Sequence, residues 1–344
     1  MSRVLIELYD RADYAPFQEY IRKAFHQKYI LSEKQYLNWQ YGENLFVAKS
    51  GKNIVGHFGF RDIAYKIGGQ TKTVRVLMNL FVLEPYRLTG VAADLAEKTI
   101  KDAQYIFVSG YKKEASNIFK RIRPQWRDFG YFKRYFFILN KKAELLKGRK
   151  RENSMSSAIP LTGNFVFSFE KNIGEEFNAF WKKIKERYGS TVDRTAAYLQ
   201  WRFADHPYFD YNIISLRESG NLLGYLVWRE EVDKLFRIAR IIDLVSDGDA
   251  SDRALLQKFI ENATAQKYDA ADFMFFGMMP EKALVDSGYF EVSGTDFEDF
   301  PILFSPISFK KTGINIGGDF PAKDLDGLYI TKADGDQDRP NPRP

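Results

Sequence analysis

The segment LMNLFVLEPYRLTGVAADLAEKTI, residues 77–100, joins a strand pattern to a helix pattern. Its first residues are almost all apolar, which is typical of a strand covered on both faces. Its last ten residues place apolar side chains at helical spacing. Gly90 precedes the helix, where free N–H groups and the helix dipole favour a bound anion. The segment therefore predicts an α/β unit with a phosphate or pyrophosphate site at the start of a helix.

A second copy of this unit follows in the chain, because six landmarks recur in the same order. YLNWQY at residues 36–41 returns 162 residues later as YLQWRF, and the strand pattern VLIEL at 4–8 returns at the same offset as VFSFE. The other landmark pairs are GKNIVG and GNLLG, LMNLFV and IIDLVS, YIFVSGY and DFMFFGM, and GYF at both 130–132 and 288–290. The repeat predicts two α/β domains of similar architecture.

The length of 344 residues agrees with two domains. We expect a first domain at residues 1–150, a second at 151–308 and a tail at 309–344 without regular elements. The linker between the domains is expected at residues 141–163, which are charged and then punctuated by Ser, Gly and Pro.

Composition narrows the function classes. With 45% apolar and 28% charged residues, no cysteine and three widely separated histidines, the chain reads as a globular protein without a metal site. No apolar run is long enough for a membrane span, and acidic residues occupy the place of a signal peptide, so we expect a cytoplasmic protein. Residues 112–134 account for the whole net charge of +6, which favours a local anion site, or a solvated helix face, over a nucleic-acid surface.

The two copies differ at the predicted anion site. Where the first copy has Arg87 to Ala92, the second has Asp247, Asp249 and Asp252. Three carboxylates would repel a phosphate. We therefore expect only the first copy to bind one.

The element Arg87-x-x-Gly90-x-Ala92 resembles the acyl-CoA pyrophosphate loop of the GNAT superfamily of N-acetyltransferases, whose pattern is Gln/Arg-x-x-Gly-x-Gly/Ala. The segment ASNIF at 115–119 and the later GYF resemble the helix and turn that close that fold. The resemblance implies an α/β (α+β) class with two tandem GNAT-like domains, each a mixed, mostly antiparallel sheet flanked by helices. The first domain would bind acyl-CoA, and the degenerate second would supply the substrate pocket.

Three features depart from the family pattern. Pro85 lies one residue nearer Arg87 than is usual, and Phe119 stands where many members carry a tyrosine that protonates the leaving thiolate. The second copy lacks the loop altogether.

The whole chain resembles tandem-GNAT N-acyltransferases of bacterial surface-polysaccharide pathways. That resemblance implies transfer of an acetyl or 3-hydroxybutyryl group from acyl-CoA to the amine of a nucleotide-linked amino-deoxysugar, such as a dTDP-3-amino-3,6-dideoxyhexose, by direct attack on the thioester. Two alternatives remain open: a GNAT transferase for another amine, such as an antibiotic or a peptide, and a non-catalytic CoA-binding module.

Candidate site residues follow from these patterns and from the resemblance. The expected cofactor-binding residues are Leu80, Phe81, Val82, Arg87, Leu88, Thr89, Gly90, Val91, Ala92, Asn117 and Lys120. The candidate catalytic residues are His57, Asn79 and Asp243, each with a structural alternative, because a polar group in an apolar strand needs a hydrogen-bond partner. The candidate substrate-binding residues are Ser109, Tyr111, Arg202, His206, Asp336 and Asp338; for the two tail carboxylates a solvated loop is the alternative.

Overall fold

The structure is a computed structural model that describes residues 3–140, 163–232, 236–277, 279–292 and 314–340. The strands are β1 (Val4–Leu8), β2 (Leu45–Ser50), β3 (Asn53–Ile67), β4 (Gln70–Val82), β5 (Tyr105–Ser109), β6 (Arg127–Tyr131), β7 (Lys133–Ile138), β8 (Phe165–Glu170), β9 (Ser190–Val192), β10 (Asn212–Glu218), β11 (Asn221–Val232), β12 (Arg237–Ser246), β13 (Ala270–Phe276), β14 (Phe290–Glu291), β15 (Asn315–Gly318) and β16 (Ile330–Thr331). The α-helices are α1 (Tyr14–Ala24), α2 (Lys34–Tyr41), α3 (Val91–Ile100), α4 (Lys113–Ile122), α5 (Glu175–Ile184), α6 (Ala196–Leu199), α7 (Asp249–Ala265) and α8 (Glu281–Asp286).

The described residues form two compact units whose bounds differ from the expected domains. The first unit comprises Met1–Gly130, Ile314–Lys323 and Gly335–Pro344, and the second comprises Tyr131–Gly313 and Asp324–Asp334. The two halves of the sequence exchange strands: β7 joins the sheet of the second unit, and β15 joins the sheet of the first. The expected linker lies almost wholly outside the described residues.

The sheet of the first unit has the strand order β1-β2-β3-β4-β5-β15-β6. Strands β1 to β4 are antiparallel, whereas β4 and β5 are parallel. Gly56 lies against Leu95 of α3, while its neighbour His57 contacts Tyr20 of α1. Because successive strand residues point to opposite faces, α1 and α3 cover the two faces of this sheet. The core beneath α3 and α4 contains Leu95, Phe119 and Trp126.

The sheet of the second unit has the order β14-β7-β13-β12-β11-β10-β8, and β16 pairs with β13. Again one central pair, β12 and β13, is parallel, while the neighbouring pairs are antiparallel. Each unit is thus a mixed, mostly antiparallel sheet flanked by helices, which confirms the predicted fold class. Among the described helices, none combines the length and the apolar character that crossing a bilayer requires.

Candidate functional site

Helix α3 is preceded by a glycine in the left-handed backbone conformation. Gly90 caps the helix with φ +90°, in the left-handed region, and its carbonyl accepts the N–H groups of Ala93 and Asp94 at 2.9 and 3.1 Å. A Cβ at Gly90 would meet no atom within 4 Å. The backbone conformation, rather than crowding, therefore requires glycine here.

Three main-chain N–H groups at this turn have no protein partner among the described residues. In the described part of the chain, the N–H groups of Gly90, Val91 and Ala92 donate to no protein acceptor. Leu88 beside them is fully exposed. Free donors at the positive end of a ten-residue helix suit an anion such as a pyrophosphate.

Arg87 ties the loop to the end of β4. Its Nε donates to the carbonyl oxygen of Val82 at 3.1 Å, and its guanidinium lies 5.5 Å from the ring centre of Phe81. A short 3-10 helix, Glu84–Tyr86, connects the strand to this arginine. The side chain of Arg87 therefore attaches the loop to the end of β4.

Strand β4 bulges immediately before the loop. Gly59 and His57 of β3 face Met78 and Phe81 of β4, so one extra residue is accommodated on β4. Asn79 in this bulge has φ +59°, and its side-chain amide donates to the hydroxyl of Tyr41 at 2.7 Å. A bulge re-aims backbone groups and commonly lies beside a functional site.

Strands β4 and β5 separate beyond the bulge. Their parallel pairing extends only to Leu77 and Val108, although β4 continues to Val82. A backbone edge of β4 is thereby left for an extended ligand that passes between the strands.

A cavity of about 690 Å³ adjoins the loop, within the first unit. Its walls come from α1, from the turn between β2 and β3, and from residues 81 and 83–87. Lys23, Lys52 and Arg87 line it together with Glu19 and Glu84. Neither of the two lysines has an ion-pair partner among the described residues.

His57, a candidate base, is fully buried next to β4. Its Nδ1 lies 2.8 Å from the hydroxyl of Tyr20, which is also 3.1 Å from the carbonyl oxygen of Phe81. Burial, and secondarily the charge of Arg339, lower the pKa of His57 to about 3. The imidazole is thus neutral at neutral pH and a weak base, and its part in catalysis stays a prediction.

The two carboxylates of the tail were expected either to contact substrate or to lie in a solvated loop. The structure contradicts the solvated loop, because both side chains are buried. Asp336 and Asp338 are 6% and 2% exposed, and the tail contributes β15, β16 and two short 3-10 turns. The side chain of Gln337 donates to the carbonyl oxygen of Ser109 at 3.0 Å, and Arg339 donates to the Asn79 side chain. The tail therefore spans the separation between β5 and β4.

The remaining candidates of the first unit lie around α4. Lys120 pairs with Asp128 at 2.6 Å, and the same carboxylate accepts the hydroxyl of Tyr111. Asn117 is exposed on α4, whereas Phe119 is buried in the core, 4.9 Å from Trp126 between ring centres. The pairing of Lys120 weakens its case as a phosphate ligand, because a neutralised cation attracts an anion less.

Asp243 lies in the second unit and is fully buried. Arg194 binds both of its oxygens, at 2.9 and 3.1 Å, and also contacts Asp334 at 2.9 Å. Tyr225 and Thr331 donate to the same carboxylate at 3.3 and 3.4 Å. These contacts favour the structural alternative for Asp243.

Arg202 and His206 are also buried in the second unit. Arg202 donates to the carbonyl oxygen of Ala333 at 2.9 Å, and Nδ1 of His206 accepts the backbone N–H groups of Tyr208 and Phe209. The structure therefore gives both side chains internal partners, and their contact with a substrate stays a prediction.

The start of α7 in the second unit carries its own acids. Asp252 is buried in the first helical turn, and burial raises its pKa to about 7. Nearby, Ser251 donates to the Asp247 carboxylate at 2.6 Å. This arrangement supports the expected difference between the copies, since carboxyl groups at a helix start disfavour an anion there.

Solved structures show the same architecture. The chain is similar to a GCN5-related N-acetyltransferase from Anabaena variabilis, with TM-score 0.61 and 12% identity over 92% of this chain and 72% of that one. It is equally similar, at 9% identity, TM-score 0.61 and the same coverage, to an Enterococcus faecalis protein described as a probable N-acyltransferase. N-myristoyltransferase of Saccharomyces cerevisiae, solved with bound myristoyl-CoA, matches with TM-score 0.54 and 10% identity over 92% of this chain and 82% of the enzyme.

The sequence itself matches no protein-family model and none of the curated proteins. Sequence identities of 9–12% support a shared fold but do not identify a substrate. The chain therefore shares its fold with these solved structures, among them a GCN5-related N-acetyltransferase.

Proposed function

We propose that the protein is an acyl-CoA-dependent N-acyltransferase whose first unit binds the thioester donor. The observation that carries this proposal is the set of free N–H groups at Gly90, Val91 and Ala92, placed at the end of a strand that parts from its neighbour. The free amides suit the pyrophosphate, and the open edge of β4 suits the extended, amide-containing pantetheine arm.

The donor follows a continuous path in this proposal. The pyrophosphate lies on residues 88–92, the pantetheine passes along Leu80, Phe81 and Val82, and the thioester reaches the bulge at Asn79. Main-chain N–H groups at the bulge then polarise the thioester carbonyl as negative charge develops on its oxygen. Because a thioester is already activated, positioning supplies most of the acceleration.

We assign the nucleotide part of the coenzyme to the cavity of about 690 Å³ beside the loop. Lys23 and Lys52 are the cations there that lack an ion-pair partner among the described residues, and we assign to them the 3′-phosphate. Lys120, the earlier candidate, is neutralised by Asp128.

For the acceptor we propose the amine of a nucleotide-linked amino-deoxysugar, with acetyl or 3-hydroxybutyryl as the acyl group. This part rests on the resemblance of the sequence to the tandem-GNAT sugar N-acyltransferases. An antibiotic or peptide amine is the alternative acceptor, and a non-catalytic CoA-binding module is the alternative function.

Calorimetry followed by a thiol-release assay tests the proposal. The protein is titrated with acetyl-CoA, 3-hydroxybutyryl-CoA and myristoyl-CoA, and each bound donor is incubated with a dTDP-amino-deoxyhexose, an aminoglycoside or a peptide amine. Donor binding with release of free CoA thiol, dependent on one amine class, supports the transferase and identifies its acceptor. Donor binding without turnover on any amine favours the binding module, and absence of donor binding refutes the proposal.

A further inference from the structure

The C-terminal segment Gly335–Pro344 belongs to the first unit, and its described residues 335–340 lie across the separation between β5 and β4. On the β5 side, a Cβ at Gly110 would lie 2.5 Å from the Gln337 side chain, and one at Gly335 would lie 2.6 Å from Oγ of Ser109. On the β4 side, Arg339 reaches the Asn79 side chain in the bulge. The segment is thus closely fitted to the place where the thioester is expected.

Asp336 is the carboxylate that this segment delivers. Its two oxygens accept hydrogen bonds from the side chains of Gln337 at 2.9 Å and Arg339 at 2.8 Å. Burial raises the pKa of Asp336, while the Arg339 charge acts in the opposite direction. A carboxylate in such surroundings accepts a proton near neutral pH better than an ordinary aspartate does.

The charged and titratable groups around Asp336 come from several elements. Arg339 is on the same segment, Tyr41 is on α2, and Tyr29 lies between α1 and α2. His57 on β3 feels the charge of the same arginine. Burial raises the pKa of Tyr29 and of Tyr41, and it lowers the pKa of His57, so all three are neutral at neutral pH. Asp336 and Arg339 form an ion pair within this cluster, with 2.8 Å between Arg339 Nη1 and Asp336 Oδ2.

We propose that Asp336 accepts the proton of the attacking amine and that Arg339 is a positioning residue, which holds both this carboxylate and the Asn79 side chain of the bulge. The inference rests on the proposed function. The amine nitrogen forms a bond to the thioester carbon and loses a proton to the Asp336 carboxylate. The carbon–sulfur bond then breaks, the thiolate takes a proton from water to give free CoA, and the Asp336 carboxyl group returns the amine's proton to that water.

Two other candidate bases fit this role less well. His57 has a pKa of about 3, so it holds a proton too weakly to take one from an amine. Asp243 is fully buried in the second unit, where Arg194 binds both of its oxygens. Asp336, by contrast, is linked to the bulge, because Arg339 donates hydrogen bonds both to Asp336 and to the bulge residue Asn79.

The experiment compares the pH dependence of kcat for the full chain and for four variants: Asp336→Asn, Asp336→Glu, Arg339→Gln and Arg339→Lys. Asp336→Asn is expected to lower kcat by about 100-fold or more, the range of general-base catalysis, and to remove the acidic limb of the profile. Asp336→Glu is expected to retain that limb with partial activity. Arg339→Gln should move the limb to higher pH, because loss of the positive charge raises the pKa of Asp336, whereas Arg339→Lys should leave it near its original position.

Acyl-CoA affinity, measured by calorimetry on the same variants, separates this inference from the proposed function. Unchanged donor affinity with lost turnover supports Asp336 as the base. The inference is overturned if the pH profile of kcat keeps its shape in Asp336→Asn. It is also overturned if the acidic limb lies at the same pH in Arg339→Gln and Arg339→Lys, even when both variants bind acyl-CoA. If Asp336→Asn does not fold, the comparison of Arg339→Gln with Arg339→Lys decides.

Discussion

Comparing the CoA affinity of Gly90→Asp with that of Gly90→Asn tests whether the start of α3 binds a negatively charged group. Both substitutions add a side chain of the same shape at φ +90°, where no atom lies within 4 Å of the new Cβ. Both therefore carry the same backbone strain, about 1–2 kcal/mol for a residue forced into the left-handed region and less for Asn and Asp, which tolerate it best. The difference between the two variants is the negative charge alone.

The size of that difference follows from Coulomb's law. A pyrophosphate carries about two negative charges, and at about 6 Å each repels the new carboxylate by about 0.7 kcal/mol in water. The sum of about 1.4 kcal/mol is tenfold in affinity, and halving the effective dielectric constant makes it about 100-fold. Gly90→Asp is therefore expected to bind CoA about 10–100 times more weakly than Gly90→Asn.

Isothermal titration with acetyl-CoA at low salt measures this ratio. The difference should shrink at high salt, because screening weakens an interaction at an exposed site. Asp249→Ala, at the corresponding turn of the second copy, serves as the control and should leave the affinity unchanged. Equal affinities of the two Gly90 variants would refute the placement of the pyrophosphate.

The other predictions concern the cavity and the second unit. Lys23→Glu and Lys52→Glu should weaken CoA binding more than binding of 3′-dephospho-CoA, and an equal loss for both ligands would contradict the assignment of the 3′-phosphate. Asp243→Asn should lower the free energy of unfolding by about 1.5–3 kcal/mol in urea titrations, since it weakens two charged hydrogen bonds from the buried Arg194 while Asp334 still supplies a countercharge; a stable variant that has lost turnover would restore Asp243 as a catalytic candidate. Because burial raises the pKa of Asp252 to about 7, its stabilising contribution is present below pH 4 and is lost as pH rises to about 7; this dependence should be absent from urea titrations of Asp252→Asn.

The repeat in the sequence was sufficient to predict the architecture of both units. The recurring landmarks correspond to β1 and β8, β3 and β11, β4 and β12, β5 and β13, and to the helices that follow them. Both copies also bulge in the corresponding pair of strands, since Val227 and Trp228 of β11 face Asp243 and Ile241 of β12. The reason is that strand and helix patterns are local, and two copies of one pattern support each other.

Strand exchange could not be predicted in the same way. The apolar residues at 135–138 favour a strand, but the edges of two similar sheets offer the same backbone groups. The run alone does not specify whether β7 joins the first sheet or the second. The domain bounds expected from the repeat therefore differ from the units of the structure.

The buried tail was also beyond sequence reasoning. Asn79 and Arg339 are 260 residues apart, and neither belongs to a motif that points to the other. A carboxylate such as Asp336 in a polar, proline-rich segment reads as solvated, because its partners Gln337 and Arg339 become significant only when the segment is buried.

Exchange of β7 and β15 determines how the protein can be divided. A fragment ending near residue 150 would keep a strand that belongs to the other sheet and would lack β15, which pairs with β5 at three positions. It would also lack Asp336 and Arg339. Neither half of the gene therefore encodes a complete sheet, and a cut between the repeats separates each copy from a strand it needs to fold.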